Sequence, residues 1–258
     1  MQDLTFFEAV LLGLIQGFTE WLPVSSSGHL VISQALLGIS VPAAFDIVIM
    51  LGTIIALLIY FRQKLLSLIR GVLVLERQAL DYLALILISG IATAIIGFVG
   101  KSFFKGLFSQ PIIVSLLLVV TGIFLFIAAR QNGTTGTVTQ KKAFLIGIAQ
   151  GLAVAPGISR SGSTIGMALI LKVNPKEAAE FSFIIGIPAM LAASFITFFE
   201  EPTAGTEISL LLVAIISAFV AGYLSIGLFM KILQERRLVF FSYYCIITGL
   251  IFAVLTSI

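Results

Sequence analysis

Read for runs of apolar residues, the 258-residue chain divides into six uninterrupted stretches and two broken ones. The uninterrupted stretches lie at roughly 42–61, 81–100, 111–129, 180–199, 208–230 and 238–257. Each is long enough to carry a helix across bilayer hydrocarbon, which takes about 20 apolar residues. The broken stretches, about 4–36 and 142–171, are apolar at both ends but hold Pro, Gly, Ser and the only His at their centres. Non-helical backbone at membrane depth survives only where protein or a wet cavity satisfies its polar groups. Each broken stretch therefore predicts a re-entrant hairpin, two short helices meeting at a polar tip.

The two tips are copies of each other. Pro23-Val-Ser-Ser-Ser-Gly-His29 is echoed by Pro156-Gly-Ile-Ser-Arg-Ser-Gly162. Upstream, Ala9, Gly13, Gln16 and Gly17 return 134 positions later as Ala143, Gly147, Gln150 and Gly151. The echo continues at an offset of 136, with Phe45 over Phe181 and Ala56 over Ala192. Such a repeat in a membrane chain predicts two related halves with a site where their irregular segments meet. The halves run about 1–130 and 141–258 within one membrane domain, joined by a polar linker at 131–140.

Charge decides how the broken stretches sit. If both are hairpins, the loops around 62–77, 130–142, 172–176 and 231–237 share one side and hold twelve Lys and Arg residues. The other side holds only Lys101 and Lys105, with Arg160 inside the second hairpin. If each broken stretch crosses once, the same fourteen residues divide seven to seven. The positive-inside rule selects the hairpins and places both termini outside the cell. A hairpin plus three crossings is an odd count, so the second repeat must be inverted. The expected fold is an all-α polytopic membrane protein of two inverted-topology repeats, each a re-entrant helical hairpin plus three transmembrane helices. Segments 62–81 and 101–108 mix basic and apolar residues; they are either interfacial helices or ordinary charged loops.

Composition agrees. The chain is 59% hydrophobic and 10% charged, with mean hydropathy +1.17, which no soluble domain of this size carries. The single Cys245 excludes an intramolecular disulfide. No cleavable leader is expected, because the first apolar stretch lacks a basic flank and carries Glu8, Gln16 and Glu20. Nucleic-acid binding has no support, since the basic residues sit in short loops.

Chemistry concentrates at the tips. Gln16 and Glu20 are four apart and share a helix face. A carboxylate inside the apolar region is costly and a functional candidate by default. Ser25, Ser26 and Ser27 precede His29 closely enough for a hydroxyl and the imidazole to meet. The second tip supplies Ser159, Arg160, Ser161, Gly162, Ser163 and Thr164. A guanidinium at membrane depth needs an anion, and its fork suits phosphate oxygens. A helix starting near Ser163 would aim its positive end at the same place. Alternatively Arg160 pairs with Glu20 to hold the hairpins together, and such a pair could open to admit substrate. This is a kit for phosphoryl transfer, although chemistry alone leaves an anion carrier open. Asp46 reads as a helix cap, Glu177 and Glu180 as a solvated first turn, and Gly52, Gly90, Gly97, Gly186 and Gly222 as close-packing positions.

These residues resemble the undecaprenyl-diphosphate phosphatase family of the bacitracin-resistance type. The resemblance rests on Gln16-x-x-x-Glu20, Leu22-Pro-Val-Ser-Ser-Ser-Gly-His29, Pro156-Gly-Ile-Ser-Arg-Ser-Gly-Ser-Thr164, Phe45-Asp-Ile-Val-Ile-Met-Leu-Gly-Thr53 and Ile187-Pro188. It implies a multi-pass enzyme of the bacterial inner membrane that removes the terminal phosphate of a C55 polyprenyl diphosphate. The monophosphate lipid then returns to peptidoglycan and envelope-glycan synthesis, and the activity confers bacitracin resistance. It implies functional Glu20, Ser26, His29, Ser159, Arg160 and Thr164; with the chemistry of the tips, the expected catalytic set is Glu20, Ser26, His29 and Arg160, and the expected phosphate-binding set Ser25, Ser27, Ser159, Ser161, Gly162 and Thr164. It also implies a divalent cation, Mg2+ or Ca2+, at Glu20 with Gln16, and leaves room for a homodimer. Gln16 stands where many members carry a carboxylate, and Met50 where many carry a polar residue.

The mechanism expected from this set has Ser26 attacking the terminal phosphorus, or directing water to it, with His29 managing the proton. Glu20 would orient His29 or hold the metal, and Arg160, Ser159 and Thr164 would neutralise the oxygens. His29 as nucleophile is the alternative within the class. A lipid-carrier flippase or anion transporter is the alternative outside it, since carriers share inverted repeats with broken helices.

Overall fold

The computed structural model describes residues 4–39, 41–131, 135–200, 207–234 and 237–256. Among these the structure is helical, apart from one isolated parallel bridge between Gly136 and Val173.

The first hairpin is α1 (Phe6–Trp21) and α2 (Ser26–Leu37). Thr5 starts α1 with a capping box: its hydroxyl accepts from the Glu8 N–H, and the Glu8 carboxylate accepts from the Thr5 N–H. Pro23 cannot continue the helix. The chain turns at Ser25, whose φ of 67° is rare for a residue with a side chain. The Ser25 hydroxyl then accepts from the Gly28 N–H at 3.2 Å and caps α2.

The second hairpin, α8 (Gln140–Leu152) and α9 (Arg160–Ile170), is built on the same plan. Its tip turns at Gly157, φ 93°, and the Ser159 hydroxyl accepts from the Gly162 N–H at 3.0 Å. The cap sits four residues ahead of the helix start expected at Ser163, so Arg160 is the first residue of α9 rather than part of a loop.

Between the hairpins run α3 (Ala43–Tyr60), α4 (Arg62–Leu73), α5 (Arg77–Val99), α6 (Lys101–Leu107) and α7 (Pro111–Ala129). After the second hairpin come α10 (Pro175–Glu200), α11 (Ile208–Gln234) and α12 (Val239–Leu255). By length and apolarity α5, α7, α10 and α11 can each cross a membrane, and α3 is an apolar helix of 18 residues from which α4 bends away by 74°. The sixth expected span, α12, is an apolar helix of 17 residues, at the short end of what suffices. The outer faces are oily, with Phe98, Phe195, Leu212 and Ile216 exposed. Patches of this kind are incompatible with water, and the chain is a multi-pass membrane protein. Across the axis of α3, α4 exposes Leu66, Ile69 and Leu73 beside Arg62 and Arg70, the pattern of a helix lying along an interface.

Packing is reciprocal. The first hairpin's α1 lies chiefly against α11, and the second hairpin's α8 chiefly against α5. Where α7 meets α12, Gly122 abuts the Ser242 backbone and Gly249 abuts the Ser115 backbone, positions where a Cβ would collide. Each helix thus contributes one glycine to the other's backbone. Not every glycine works this way: Gly90 faces open space and Gly97 meets only the Val154 side chain. The core between the hairpins is aromatic, with Trp21, Phe183 and Phe229 fully buried in a chain of ring contacts at 5.3 and 5.9 Å.

Candidate active site

The two tips meet. Glu20, on the last turn of α1, is 2.6 Å from Arg160 Nη2 through Oε1. Its other oxygen, Oε2, accepts from the Ser26 hydroxyl at 2.6 Å and from Gln16 Nε2 at 3.0 Å. The spacing of Gln16 and Glu20 on one helix face makes the last contact, and the cap at Ser25 brings Ser26 back over Glu20. One carboxylate therefore gathers an amide, a hydroxyl and a guanidinium, nearly out of contact with solvent: the Glu20 side chain is 7% exposed and that of Arg160 14%.

Arg160 is held from several sides. Its guanidinium lies over the Trp21 ring, 5.1 Å from the centroid, and Nη2 also reaches Met190 Sδ at 3.1 Å. Gly186 on α10 makes room for it, since a Cβ there would meet Nη1 and Cζ. Nη1 itself is buried with no hydrogen-bond partner among the described residues. A buried charged donor in that condition calls for an acceptor.

Ser161 and Thr164 spend their hydroxyls on framework. Ser161 donates to the Leu22 carbonyl at 3.1 Å, tying the hairpins together, and sits 3.3 Å from Ser159. Thr164 donates back to the Arg160 carbonyl at 2.9 Å and meets Ser182 of α10 at 2.5 Å. Ser27 is half-buried, 3.5 Å from Ser25. Thr121 of α7 braces the second tip, donating to the Gly157 carbonyl at 2.9 Å and accepting from the Ser159 N–H at 3.1 Å.

His29 is placed by partners other than Glu20, the residue expected to orient it. Nδ1 lies 2.8 Å from the Ser25 carbonyl oxygen, and Nε2 lies 2.8 Å from the Tyr244 hydroxyl of α12. His29 is one helical turn beyond Ser26, so it borders the Glu20 cluster without bonding to it.

Three further expectations are corrected. Asp46 does not cap α3, whose N-cap is Pro42; its half-buried carboxylate accepts twice from Gln34 Nε2, at 2.9 and 3.1 Å, which offsets its partial loss of water. Glu180 is not a solvated first-turn residue but pairs with Lys64 of α4, with Lys176 at 3.9 Å. Glu177 accepts from the Val138 N–H at 2.8 Å, fastening the linker. Thr121, Gly186, Met190 and Tyr244 were not legible as site residues. Their helices read as uniformly apolar spans, and nothing local distinguishes the face that meets a hairpin tip.

Among the described residues there is no group of three or more His, Cys, Asp or Glu able to hold a metal ion. The Glu20 cluster offers one carboxylate, the Ser26 hydroxyl and the Gln16 amide. That set is too sparse for a cation held by protein alone, but it fits the mode in which one carboxylate and substrate phosphates share a hydrated Mg2+.

The sequence profile of the bacitracin resistance protein BacA family matches residues 9–251. The chain belongs to that family. It is 38% identical to an undecaprenyl-diphosphatase of Methanosphaera stadtmanae over 98% of this chain and 99% of the relative. It is 41% identical to an undecaprenyl-diphosphatase of Syntrophotalea carbinolica over 98% and 100%. A third, from Carboxydothermus hydrogenoformans, is 40% identical over 97% of each. The likeness runs the full length of both partners, so both hairpins belong to it.

Proposed function

We propose that this protein is a membrane phosphatase that hydrolyses undecaprenyl diphosphate to the monophosphate. The observation that carries the reading is the meeting of Arg160, Glu20 and Ser26 out of contact with most solvent, with Arg160 Nη1 lacking an acceptor among the described residues. The relatives named undecaprenyl-diphosphatase support the substrate and favour hydrolysis over the flippase or transporter reading.

The diphosphate enters with its prenyl tail among the helices. Its terminal phosphate takes Nη1 and then competes with Glu20 for Nη2, because a guanidinium fork suits phosphate oxygens. Glu20 Oε1 is left without its cation while Oε2 still holds the Ser26 hydroxyl. Ser26 Oγ attacks the terminal phosphorus, its proton passes to Glu20, and the bond to the bridging oxygen breaks to release the lipid monophosphate. Water then hydrolyses the phosphoserine, so the net reaction consumes one water and releases inorganic phosphate. Arg160 neutralises the equatorial oxygens as charge spreads. The ring nitrogens of His29 face the Ser25 carbonyl and the Tyr244 hydroxyl, and in this scheme His29 serves the water step as acid/base group while Ser26 is the nucleophile. A divalent cation, Mg2+ or Ca2+, would be held by Glu20 with Gln16 and the diphosphate oxygens, and when bound it would neutralise substrate charge.

The decisive experiment is phosphate release from undecaprenyl diphosphate by purified protein in detergent. Turnover that falls by about two to three orders of magnitude in Arg160→Ala supports the reading; retention of most activity would refute it.

The same reading includes the inverted repeat, with halves at about 1–130 and 141–258, both chain ends on the extracytoplasmic side and the protein in the bacterial inner membrane. The reciprocal packing of α1 on α11 and α8 on α5, and the glycine exchange between α7 and α12, support a two-fold relation between halves. The loop asymmetry of Lys and Arg supports the orientation. Single cysteines introduced at Lys64 and Lys101 in a Cys245→Ser background test it. An impermeant thiol reagent added outside intact cells should label only the second.

A further inference from the structure

His29 is the only histidine in the chain, and it is buried, with 7% of its surface exposed. Its Nδ1 faces the carbonyl oxygen of Ser25 at 2.8 Å. A carbonyl only accepts, so Nδ1 carries a proton. In the neutral ring this leaves Nε2 with its lone pair, and the hydroxyl of Tyr244, 2.8 Å away, donates to it. The two rings lie within 7° of parallel with centroids 5.7 Å apart, and Phe252 meets the imidazole edge-on at 6.3 Å. Tyr244 and Phe252 both belong to α12. The residue after Tyr244, Cys245, is buried and donates through Sγ to the Pro23 carbonyl at 3.5 Å. Two successive residues of α12 thus register that helix on the tip of the first hairpin, 215 positions away in sequence for the His29–Tyr244 pair.

We infer that Tyr244 is a positioning residue for the reaction, holding His29 in the Nδ1-protonated tautomer with Nε2 as its basic nitrogen. A phenol hydroxyl both donates and accepts. It donates to Nε2 while the ring is neutral and accepts from Nε2–H once the ring has gained a proton, so one contact serves both states without movement of either side chain. The Ser25 carbonyl completes the arrangement from the opposite side. The inference rests on the phosphatase reading only for what the ring does during turnover.

A single histidine makes the test direct, because protein labelled with 15N at histidine alone reports one ring. The expected spectrum of substrate-free protein at neutral pH shows a proton-bearing Nδ1 and a bare, hydrogen-bonded Nε2. In Tyr244→Phe, which keeps the ring and removes the hydroxyl, the Nε2 signal moves to that of a nitrogen without a donor. Its kcat falls about three- to tenfold, the worth of one neutral hydrogen bond, with KM unchanged. Tyr243→Phe, which removes the neighbouring hydroxyl on the same helix, leaves both readings at wild-type values. A wild-type spectrum with the proton on Nε2 alone overturns the inference with no variant needed. So does a Tyr244→Phe protein whose nitrogen signals and kcat match the wild type. Wild-type protein that releases no phosphate sinks the phosphatase reading instead, and the two failures are distinguishable because the ring signals are read without substrate.

Discussion

Arg160 and Glu20, 140 positions apart in sequence, form a 2.6 Å ion pair between the tips of two separate hairpins. The pair joins the two hairpins and, in the proposed mechanism, must yield Arg160 to the diphosphate. Its two roles separate in variants. Glu20→Ala leaves a buried guanidinium unpaired and should cost about 3–5 kcal/mol of stability, read as a lowered midpoint of thermal unfolding in detergent. Arg160→Lys keeps the charge and loses the planar fork, so stability should fall less while kcat drops by about a hundredfold.

Ser26 and Ser25 are neighbours with different work, and single substitutions should tell them apart. Ser26→Ala removes the hydroxyl on Glu20 Oε2 and should abolish phosphate release while leaving substrate binding within a few-fold of wild type. Ser25→Ala removes the cap of α2 and should cost about 1 kcal/mol. Ser25→Gly should be milder, because glycine adopts a φ of 67° without strain and a cap loses only a few tenths of a kcal/mol on going to glycine. Unfolding midpoints of the three proteins check the order.

Gly186 lends Arg160 its space. A methyl group at Gly186→Ala would meet the guanidinium, and because Arg160 is pinned by Glu20 and Trp21 it must leave its position. The expected result is a fall in kcat of tenfold or more, on the order of the loss caused by a misplaced catalytic group. Gly90→Ala, where a Cβ meets open space, should behave as wild type in the same phosphate-release assay.

Thr121 holds the second tip by one hydroxyl that donates to Gly157 and accepts from Ser159. Thr121→Val leaves both backbone groups buried and unpaired, at about 1–3 kcal/mol each, and loosens the start of α9 where Arg160 stands. KM for the diphosphate should rise and stability should fall. Thr121→Ser keeps the oxygen and should restore both.

Sequence and structure divide unevenly over this site. Pro23 and Pro156 stand with Gly and Ser at the centres of apolar runs, and that clustering made both hairpins legible as breaks, whereas the lone Pro188 lies inside α10. Gln16 and Glu20 share a face by the helical period alone. The repeated Ser-x-Ser-Gly marked the two tips as copies but not their caps, because the second helix was expected to start near Ser163 and the Ser159 hydroxyl instead caps it on the Gly162 N–H. Apolarity and the bias of Lys and Arg toward one set of loops likewise determined a polytopic membrane chain, since transfer of charge and peptide groups into hydrocarbon is a local cost.

Tertiary structure alone decided which residues surround those tips. That Glu20 meets Arg160, that Gly186 yields to it, that Thr121 braces Ser159 and that Tyr244 faces His29 all depend on how spans from different parts of the chain pack. In lipid, helix packing turns on small residues and shape rather than on any apolar-to-polar contrast along the sequence. A span such as α12 therefore reads the same whether its tyrosine faces a histidine or the lipid, and only the assembled bundle tells the two apart.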